Sequence, residues 1–394
     1  RSTQHHFRTT IVPAALLITV GLVMVVGALV TSTDSGQLGG DFPAFFAAGD
    51  IVAESGYDDL YDPTVQQEAQ DGLIENKGGY LFFAYPPFVA TGYSVIAPLG
   101  YRTAYVVQML LMAAAAFGVV WVLRPMSEFI RNYWIAVLAG VVLFQPVIAS
   151  LIGGQNTLLT MFLFVAAARG EWSGKDLLAG VAVGLLAYKP QYGLPLLLLV
   201  LIGGRWRVAA GAAATWAALY AAAAAVLGLG WLGPWWEQAT AFRDINAGVN
   251  GHLFVSLPGF MEHTTGMSAD AGRVLGLIIG VAGMLGLGWC WRRVPDDPLI
   301  RYAVAATGLI LIAPQSLFYE AGVAAAAILL LVARGRVDRQ LMTGVFAAGW
   351  VYAATAPLIN TTLLVLALVA VLLRALADSV ADPASLGQPA GATQ

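Results

Sequence analysis

The sequence predicts an all-α membrane protein with many helices, and two of its features support this fold class. Of the 394 residues, 59% are hydrophobic and 11% are charged, whereas soluble domains contain about 25% charged residues. The apolar residues also form runs of the length that a helix needs to cross a bilayer. We therefore expect a polytopic bundle of about 10–13 transmembrane or half-spanning helices in one domain over residues 1–381, followed by a disordered tail over residues 382–394.

The apolar runs fall into two classes by length. Complete spans are predicted over residues 11–31, 103–123, 133–152, 208–229, 271–291 and 341–357. Shorter or interrupted runs cover residues 86–99, 157–168, 177–188, 190–202, 300–312, 322–332 and 361–375. Half-length helices are tolerated at membrane depth where they are buried in protein or line a wet cavity. Clusters of such runs point toward a functional site, and they lie at residues 153–204 and 300–333.

Two hydrophilic loops separate the apolar runs. Residues 31–80 contain ten acidic residues and one lysine, and the preceding tail carries two arginines. The excess of basic residues on the cytoplasmic side of membrane proteins predicts that this long loop is external. Within it, short amphipathic helices are expected on the membrane surface around residues 42–52 and over residues 63–75. The second loop, 231–270, is also predicted to be external, with its tryptophans at the level of the lipid headgroups.

Several classes of function are excluded or disfavoured by composition and by missing motifs. A net charge of −3 with scattered basic residues gives no footprint for nucleic acid. The single cysteine, Cys290, has no partner for an internal disulfide. Nucleotide-binding loops and paired cysteine motifs are absent, and His252 and His263 lack metal-ligand spacing, so we expect no cofactor and no metal. Both histidines are expected to have polar roles in the second loop, and His252 is a candidate for substrate binding.

Two charged residues interrupt apolar segments, where charges are costly and usually functional. Lys189 stands before Pro190, which breaks the helix and leaves free backbone groups beside a cation, so it is a candidate anion site. Alternatively, Lys189 extends its ammonium group to the membrane surface from a helix end. Glu320 follows a second break marked by Pro314. Its alternative role is a structural ion pair with a basic residue.

Four further polar residues stand at boundaries between segments. Gln155 and Asn156 join two apolar runs and supply amide groups for a polar ligand, although a tight turn with capping amides gives the same pattern. Tyr85 ends the acidic loop before two prolines, which are also ordinary at a first helical turn. Asp41 is the acid at which the loop turns apolar and aromatic, and its alternative role is a solvated charge or a helix cap.

Short motifs with these residues occur along most of the chain. They are Gly40-Asp41-Phe42-Pro43, Leu60-Tyr61-Asp62-Pro63, Phe83-Ala84-Tyr85-Pro86-Pro87, Gly154-Gln155-Asn156, Tyr188-Lys189-Pro190-Gln191, Gly204-Arg205-Trp206-Arg207 and Ser256-Leu257-Pro258-Gly259. In this order and spacing they resemble glycosyltransferase family 87, the polyprenol-phosphate-mannose-dependent membrane mannosyltransferases of GT-C type. That family typically has a histidine or aspartate near a late Pro-x-Ser motif, where this sequence has Tyr319 and Glu320 after Pro314-Gln315-Ser316.

The resemblance implies a fold of GT-C type and an inverting transfer of a sugar, expected to be mannose, from a polyprenyl-phosphate donor to a lipid or glycan acceptor. It implies that Asp41 is the catalytic base and Lys189 stabilises the leaving phosphate, with Glu320 as a second catalytic candidate. Further candidates for donor or substrate binding are Gln155, Asn156, Tyr85, Tyr319 and His252. The reaction is expected at the external face of a bacterial inner membrane. Two alternatives stay open, a secondary transporter and a catalytically silent subunit with partners in a membrane complex.

Overall fold

A computed structural model describes residues 40–71, 73, 81–293, 297–336, 338–359 and 361–380. In this part of the chain the secondary structure is helical, with isolated bridges such as that between Phe254 and Leu317. The all-α class predicted from the sequence is therefore confirmed. The predicted first span, 11–31, and the predicted disordered tail, 382–394, lie outside the described residues.

The helices follow one another with short connections. The first half contains α1 (Phe42–Glu54), α2 (Pro63–Gln70), α3 (Pro87–Ser94), α4 (Tyr101–Leu123), α5 (Glu128–Asn132), α6 (Trp134–Val142), α7 (Gln145–Ile152), α8 (Thr157–Trp172) and α9 (Asp176–Leu185). The second half contains α10 (Pro190–Ile202), α11 (Trp206–Leu227), α12 (Leu232–Asn250), α13 (Leu257–Thr265), α14 (Ala269–Arg293), α15 (Pro298–Ile312), α16 (Ala324–Ala333), α17 (Arg339–Ile359) and α18 (Thr362–Val380). Two 3-10 turns, Leu186–Tyr188 and Phe318–Val323, border the candidate site.

Four of these helices, α4, α11, α14 and α18, are long and apolar enough to cross a membrane. Helices α6 and α7 form a further candidate span that is bent by 65°, and five shorter apolar helices accompany it. These candidate segments number ten within the described ranges, at the lower end of the predicted number. The protein is a multi-pass membrane protein, as its composition predicts.

The run predicted as one span over 133–152 is instead the bent pair α6 and α7. Phe144 has an extended backbone between the two helices, and Pro146 follows in the first turn of α7. Proline lacks a backbone N–H, and its ring clashes with the carbonyl group four residues earlier, so one straight helix cannot continue through this position. The bend leaves α7 as a half-length helix that ends at the turn before α8.

The first helix predicted in the acidic loop forms as α1, but its aromatic side chains pack inside the protein and not on a membrane surface. The ring of Phe42 lies 5.3 Å from that of Tyr105, and the ring of Phe45 stacks on Tyr93 at 5.1 Å between centroids. Gly49 permits this approach, because a β-carbon there would lie 2.6 Å from the carbonyl carbon of Tyr93. The prediction was wrong because the tyrosines come from helices distant in sequence, which helical periodicity does not reveal.

The second helix predicted in that loop, over 63–75, is α2 and already ends at Gln70. The Asp62 side chain caps its start by accepting the N–H of Thr64 at 2.7 Å. Buried Gln66 donates to the carbonyl oxygen of Leu60 at 2.7 Å and accepts the N–H of Phe83 at 3.2 Å. The loop is thereby fixed to the segment that leads into α3.

The tryptophans of the second loop do not form a common belt at the headgroups. Trp231 is buried, and the indole N–H of Trp235 donates to the carbonyl oxygen of Ala84 at 3.1 Å. Of the three neighbouring tryptophans, Trp236 alone is largely exposed, at 62%. The Trp235 indole therefore holds α12 against the segment before α3, and the Trp231 ring packs on Tyr220 of α11, where the sequence predicted contact with lipid headgroups.

Helix α15 forms the centre of the bundle. The whole run 298–311 is buried, and α8, α16 and α18 pack around it. A helix that is apolar on every face is stable when other helices cover all of it. Its one charged residue, Arg301, forms an ion pair with buried Glu171 of α8. Since α15 ends just before the turn with Tyr319 and Glu320, the central helix fixes the depth of these two side chains.

Candidate active site

Asp41 and Gln155, which are 114 positions apart, meet at the start of α1. The amide group of Gln155 donates to the Asp41 carboxylate with an Nε2–Oδ2 distance of 2.6 Å. The Asp41 N–H also donates to the carbonyl oxygen of Gly153 at 3.1 Å. Gly154 has a φ of +67°, and a β-carbon there would lie 2.6 Å from that of Phe42, so a glycine is required at this turn. The Gly153–Asn156 motif therefore positions the carboxylate of the acidic loop.

Asn156 has a structural place in the same turn. Its side-chain oxygen accepts hydrogen bonds from the Tyr93 hydroxyl at 3.2 Å and from the Gln108 amide at 2.8 Å. Its carbonyl oxygen accepts the hydroxyl of Tyr188 at 3.0 Å. Its side chain makes no capping hydrogen bond to α8, so the capping role considered from the sequence does not apply. Gln108 escaped the sequence analysis, although a buried amide inside a spanning helix is itself a signal of function.

Tyr85 and Tyr188 form an aromatic wall beside this turn. Their rings are nearly parallel, with 6.4 Å between centroids and an angle of 11°. The Tyr85 hydroxyl donates to Gln155 Oε1 at 3.5 Å, and the Tyr61 hydroxyl donates to the Tyr85 carbonyl oxygen at 2.9 Å. Tyr85 remains half-buried, whereas Tyr188 is buried. The exposed part of the wall therefore belongs to Tyr85.

Lys189 and Glu320, one from each cluster of broken helices, form a buried ion pair. The Lys189 side chain is 1% exposed, which contradicts the alternative of an ammonium group that extends to the membrane surface. Pro190 begins α10 directly after Lys189, and Glu320 lies in the 3-10 turn before α16. The geometry agrees with the structural alternative for Glu320, a carboxylate paired with a basic residue. Each charge compensates the other where water is excluded.

Tyr319 connects Asp41 to the buried ion pair. Tyr319 and Lys189 both lie close enough to the Asp41 carboxyl group to lower its pKa. Tyr319 further interacts electrostatically with Tyr85 and Glu320. Seven of the eight residues selected from the sequence therefore lie in one cluster, formed by Asp41, Tyr85, Gln155, Asn156, Lys189, Tyr319 and Glu320.

The eighth candidate, His252, is placed differently. Its imidazole ring is exposed and lies 6.2 Å from the ring of His263. The backbone that follows His252 does approach the segment before the turn Phe318–Val323, because the Val255 N–H donates to the carbonyl oxygen of Ser316 at 2.7 Å. Within the ranges that the structure describes, His252 makes no hydrogen bond to a member of the cluster, and no group of three or more acidic, histidine or cysteine side chains could hold a metal ion.

Comparison with known proteins identifies the family of the chain. The model of glycosyltransferase family 87 matches residues 83–314, which is more than half of the 394 residues. The chain belongs to glycosyltransferase family 87. The matched range of this family 87 protein includes Tyr85, Gln155 and Lys189, whereas Asp41 precedes it and Glu320 follows it. No curated protein and no solved structure shows a significant match.

The environment of Asp41 in this family 87 protein changes the pKa of its carboxyl group. Burial raises the pKa of its carboxyl group above the ordinary value of 3.8. The hydrogen bond from Gln155, the nearby Tyr319 side chain and the charge of Lys189 lower the pKa, but they offset burial only in part. A carboxylate with a raised pKa is a stronger base than an ordinary carboxylate. The site therefore combines a carboxylate, a buried ion pair and an aromatic wall.

Proposed function

We propose that this family 87 glycosyltransferase moves mannose from a polyprenyl-phosphate donor to a hydroxyl group of a lipid or glycan acceptor, at the external face of a bacterial plasma membrane. Membership of the family makes the protein a membrane glycosyltransferase. The observation that carries the finer proposal is the position of Asp41, held by Gln155 next to the buried pair of Lys189 and Glu320. A base and a cation stand side by side there without a nucleotide-binding loop.

Asp41 acts in this proposal on the acceptor. Its carboxylate accepts the proton of the acceptor hydroxyl while the hydroxyl oxygen forms a bond to C1 of the sugar. The bond between C1 and the phosphate oxygen breaks, and its electron pair leaves with the polyprenyl phosphate. Attack from the face opposite the leaving group inverts C1, so a β-linked donor gives an α-linked product. The phosphate leaves as an anion, so the reaction needs no general acid.

Lys189 acts on the leaving group. As the bond to C1 breaks, negative charge grows on the phosphate, and a cation fixed in a dry site stabilises that charge more strongly than water does. The pairing with Glu320 keeps the Lys189 ammonium group at the helix break before the donor arrives. Glu320 then has a positioning role, because its carboxylate is paired with Lys189. The half-buried ring of Tyr85, which stacks on buried Tyr188, supplies an apolar face to the sugar ring.

The proposal is tested with purified protein in detergent, an extract of membrane lipids as acceptor, and polyprenyl-phosphate mannose labelled in the sugar. We expect label in a lipid or glycan product together with release of polyprenyl phosphate. A nucleotide-linked mannose serves as the matched control donor and should give no product. Transfer from the nucleotide donor would contradict the proposed donor class. Movement of the intact donor across proteoliposomes without transfer would instead favour the transporter.

A further inference from the structure

A cavity lies apart from the candidate active site, between α5, α6, α16 and α17. Its volume is about 400 Å³, within the range of small-molecule sites. Its lining is apolar except for Tyr133 and Arg339. An apolar cavity with one cationic residue fits an amphiphile better than it fits a polar metabolite, because a polar molecule would lose its hydration without gaining hydrogen bonds.

The apolar and the cationic parts of this cavity lie at opposite ends. Phe144 and Phe346 stack at the inner end, with 6.2 Å between ring centroids. Arg339 is the first residue of α17, so the helical rise places it roughly 10 Å from Phe346 along the helix. The Arg339 end also borders Val332, near the end of α16, whereas the start of α16 follows the turn with Glu320. The cationic end therefore faces away from the candidate active site.

Arg339 carries a charge that the described part of the chain does not neutralise. Its side chain is exposed, and the described residues place no carboxylate within ion-pair distance of it. The neighbouring arginines differ in this respect, because Arg334 pairs with Asp297 and Arg336 pairs with Asp378. Arg339 is therefore available to an anion at the mouth of the cavity.

The same end of the molecule has the side chains of a membrane interface. Trp121 is 55% exposed, and the Arg124 guanidinium group lies over the rings of Trp121 and Trp134, at 4.8 and 5.4 Å. Trp134 directly follows Tyr133, which lines the cavity. Tryptophan and arginine at helix ends are typical of the headgroup level of a bilayer. The mouth of the cavity therefore lies where lipid phosphates are found.

We propose that the cavity binds one acyl chain of an anionic phospholipid, with the lipid phosphate against Arg339 and the chain extending toward Phe144 and Phe346. The proposal does not depend on the glycosyl transfer. The polyprenyl donor of the proposed function is a different lipid, because that proposal places its phosphate at Lys189, at the other end of α16. Charge complementarity at Arg339 selects an anionic headgroup over a zwitterionic one.

Native mass spectrometry of the full chain, released from detergent with added phosphatidylglycerol or phosphatidylcholine, tests the headgroup contact. We expect a complex with phosphatidylglycerol that is retained more strongly than that with phosphatidylcholine. Arg339→Gln should weaken the phosphatidylglycerol complex by about tenfold, the typical weight of a charge-assisted hydrogen bond. Arg293→Gln is the matched control, because Arg293 is an exposed arginine over Trp289 at the end of α14 without this cavity. Equal losses in both variants would overturn the proposal.

The acyl-chain contact is tested by filling the cavity. Gly140 lines it, and a β-carbon there meets no heavy atom within 4 Å, so Gly140→Leu is accommodated but occupies the space of the chain. Gly286→Leu is the control, since its β-carbon is equally free on α14. We expect loss of the bound phospholipid in the first variant alone. Retention in Gly140→Leu, or displacement of phosphatidylglycerol by equimolar polyprenyl phosphate, would contradict an acyl-chain site for phospholipid.

Discussion

At the scale of single residues, the site depends on the way in which two carboxylates are held. Asp41 is half-buried and keeps a hydrogen bond from Gln155, whereas Glu320 is committed to Lys189 in a buried ion pair. A base must reach the acceptor hydroxyl, and a carboxylate that is already neutralised by an ammonium group is poorly suited to accept a proton. The two acids that the sequence offered as catalytic candidates thus have different predicted roles, base and support.

Asp41→Asn should reduce kcat by a factor of about 10²–10⁴, which corresponds to about 3–5 kcal/mol in the barrier. The amide keeps the shape of the side chain but cannot accept the proton, so the KM for the donor should stay near that of the wild type. Steady-state kinetics with labelled donor measure both quantities. Asp58→Asn, an exposed acid in the same loop, is the control and should have no effect. Near-normal turnover in Asp41→Asn with loss of activity in Glu320→Gln would show that Glu320, and not Asp41, is the catalytic base.

The raised pKa of Asp41 predicts a dependence on pH with a definite sign. Activity should fall as the pH falls through that pKa, which lies above 3.8, because protonation removes the base. For stability the sign is opposite: the folded protein binds this proton more tightly than the unfolded chain does. The stabilisation that this bound proton gives to the folded protein is therefore present at low pH, and it is lost as the pH rises through the folded-state pKa of Asp41. In Asp41→Asn that part of the pH dependence of the melting temperature should disappear, and an unchanged profile would contradict the assignment.

The buried pair predicts strong coupling between Lys189 and Glu320. Lys189→Met or Glu320→Gln alone leaves a buried charge without its partner, which should lower the free energy of unfolding by about 3–5 kcal/mol. The double variant removes both charges and should recover most of this loss. Arg131→Gln, which breaks an exposed pair with Glu128, should cost about 0–1 kcal/mol. Unfolding in detergent measures the stability of the two single variants, the double variant and the Arg131→Gln control. A double variant as unstable as the single variants would argue against this coupling.

At the scale of secondary structure, breaks between helices position the candidate residues. Gly153 and Gly154 end α7, Pro190 separates the 3-10 turn from α10, and the turn Phe318–Val323 precedes α16. Each break leaves backbone groups that no helix satisfies, and such groups are tolerated at membrane depth when protein surrounds them. The half-length runs of the sequence pointed to this arrangement, because the two clusters of short helices do meet at Lys189 and Glu320.

The close contact between α1 and α3 predicts that substitution of Gly49 lowers the stability of the protein. Gly49→Ala places a methyl group 2.6 Å from the Tyr93 carbonyl carbon, so the helices must separate, at a cost of about 1–3 kcal/mol in the free energy of unfolding. Gly92→Ala in α3 is the control, because its β-carbon meets nothing within 4 Å, and it should stabilise the helix by about 0.5–1 kcal/mol. Thermal unfolding distinguishes the two. Equal melting temperatures would mean that this close approach does not limit stability.

At the scale of the whole molecule, the two hydrophilic loops lie on the same side of the bundle. The Trp235 indole donates to the Ala84 carbonyl oxygen at 3.1 Å, and the Gln238 amide donates to Gln66 at 3.5 Å. The loop with Asp41 and the loop after α11 therefore form one surface near the candidate site. The exposed Trp121 and the arginines Arg124 and Arg339 mark the opposite end.

This arrangement predicts that both loops are labelled from outside the cell. Single cysteines at Asp58 and Glu237, on a Cys290→Ser background, should react with an impermeant thiol reagent in intact cells. Both positions are exposed in the structure. A cysteine at Arg131, at the opposite end, is the control and should react only after lysis. Labelling of the two loop positions only in lysed cells would reverse the proposed orientation.

The sequence by itself determined the fold class and most of the candidate residues. Charge content and the lengths of apolar runs are properties of the chain alone, and they reflect the low cost of apolar helices and the high cost of ions in lipid. The same reasoning selected Lys189 and Glu320, because a charge in an apolar run is conspicuous without any partner. The motif with Gln155 and the acidic loop with Asp41 were also visible as separate segments.

Tertiary structure alone decided which of these residues meet. No local pattern indicates that Gln155 donates to Asp41 or that Lys189 pairs with Glu320, because these contacts join positions more than 100 residues apart. The phenyl rings of α1 illustrate the same limit. Periodicity measures how apolar one face of a helix is, and it cannot distinguish a face covered by lipid from one covered by tyrosines of another helix. Burial in a membrane protein therefore depends on the packing partners, which only the folded chain specifies.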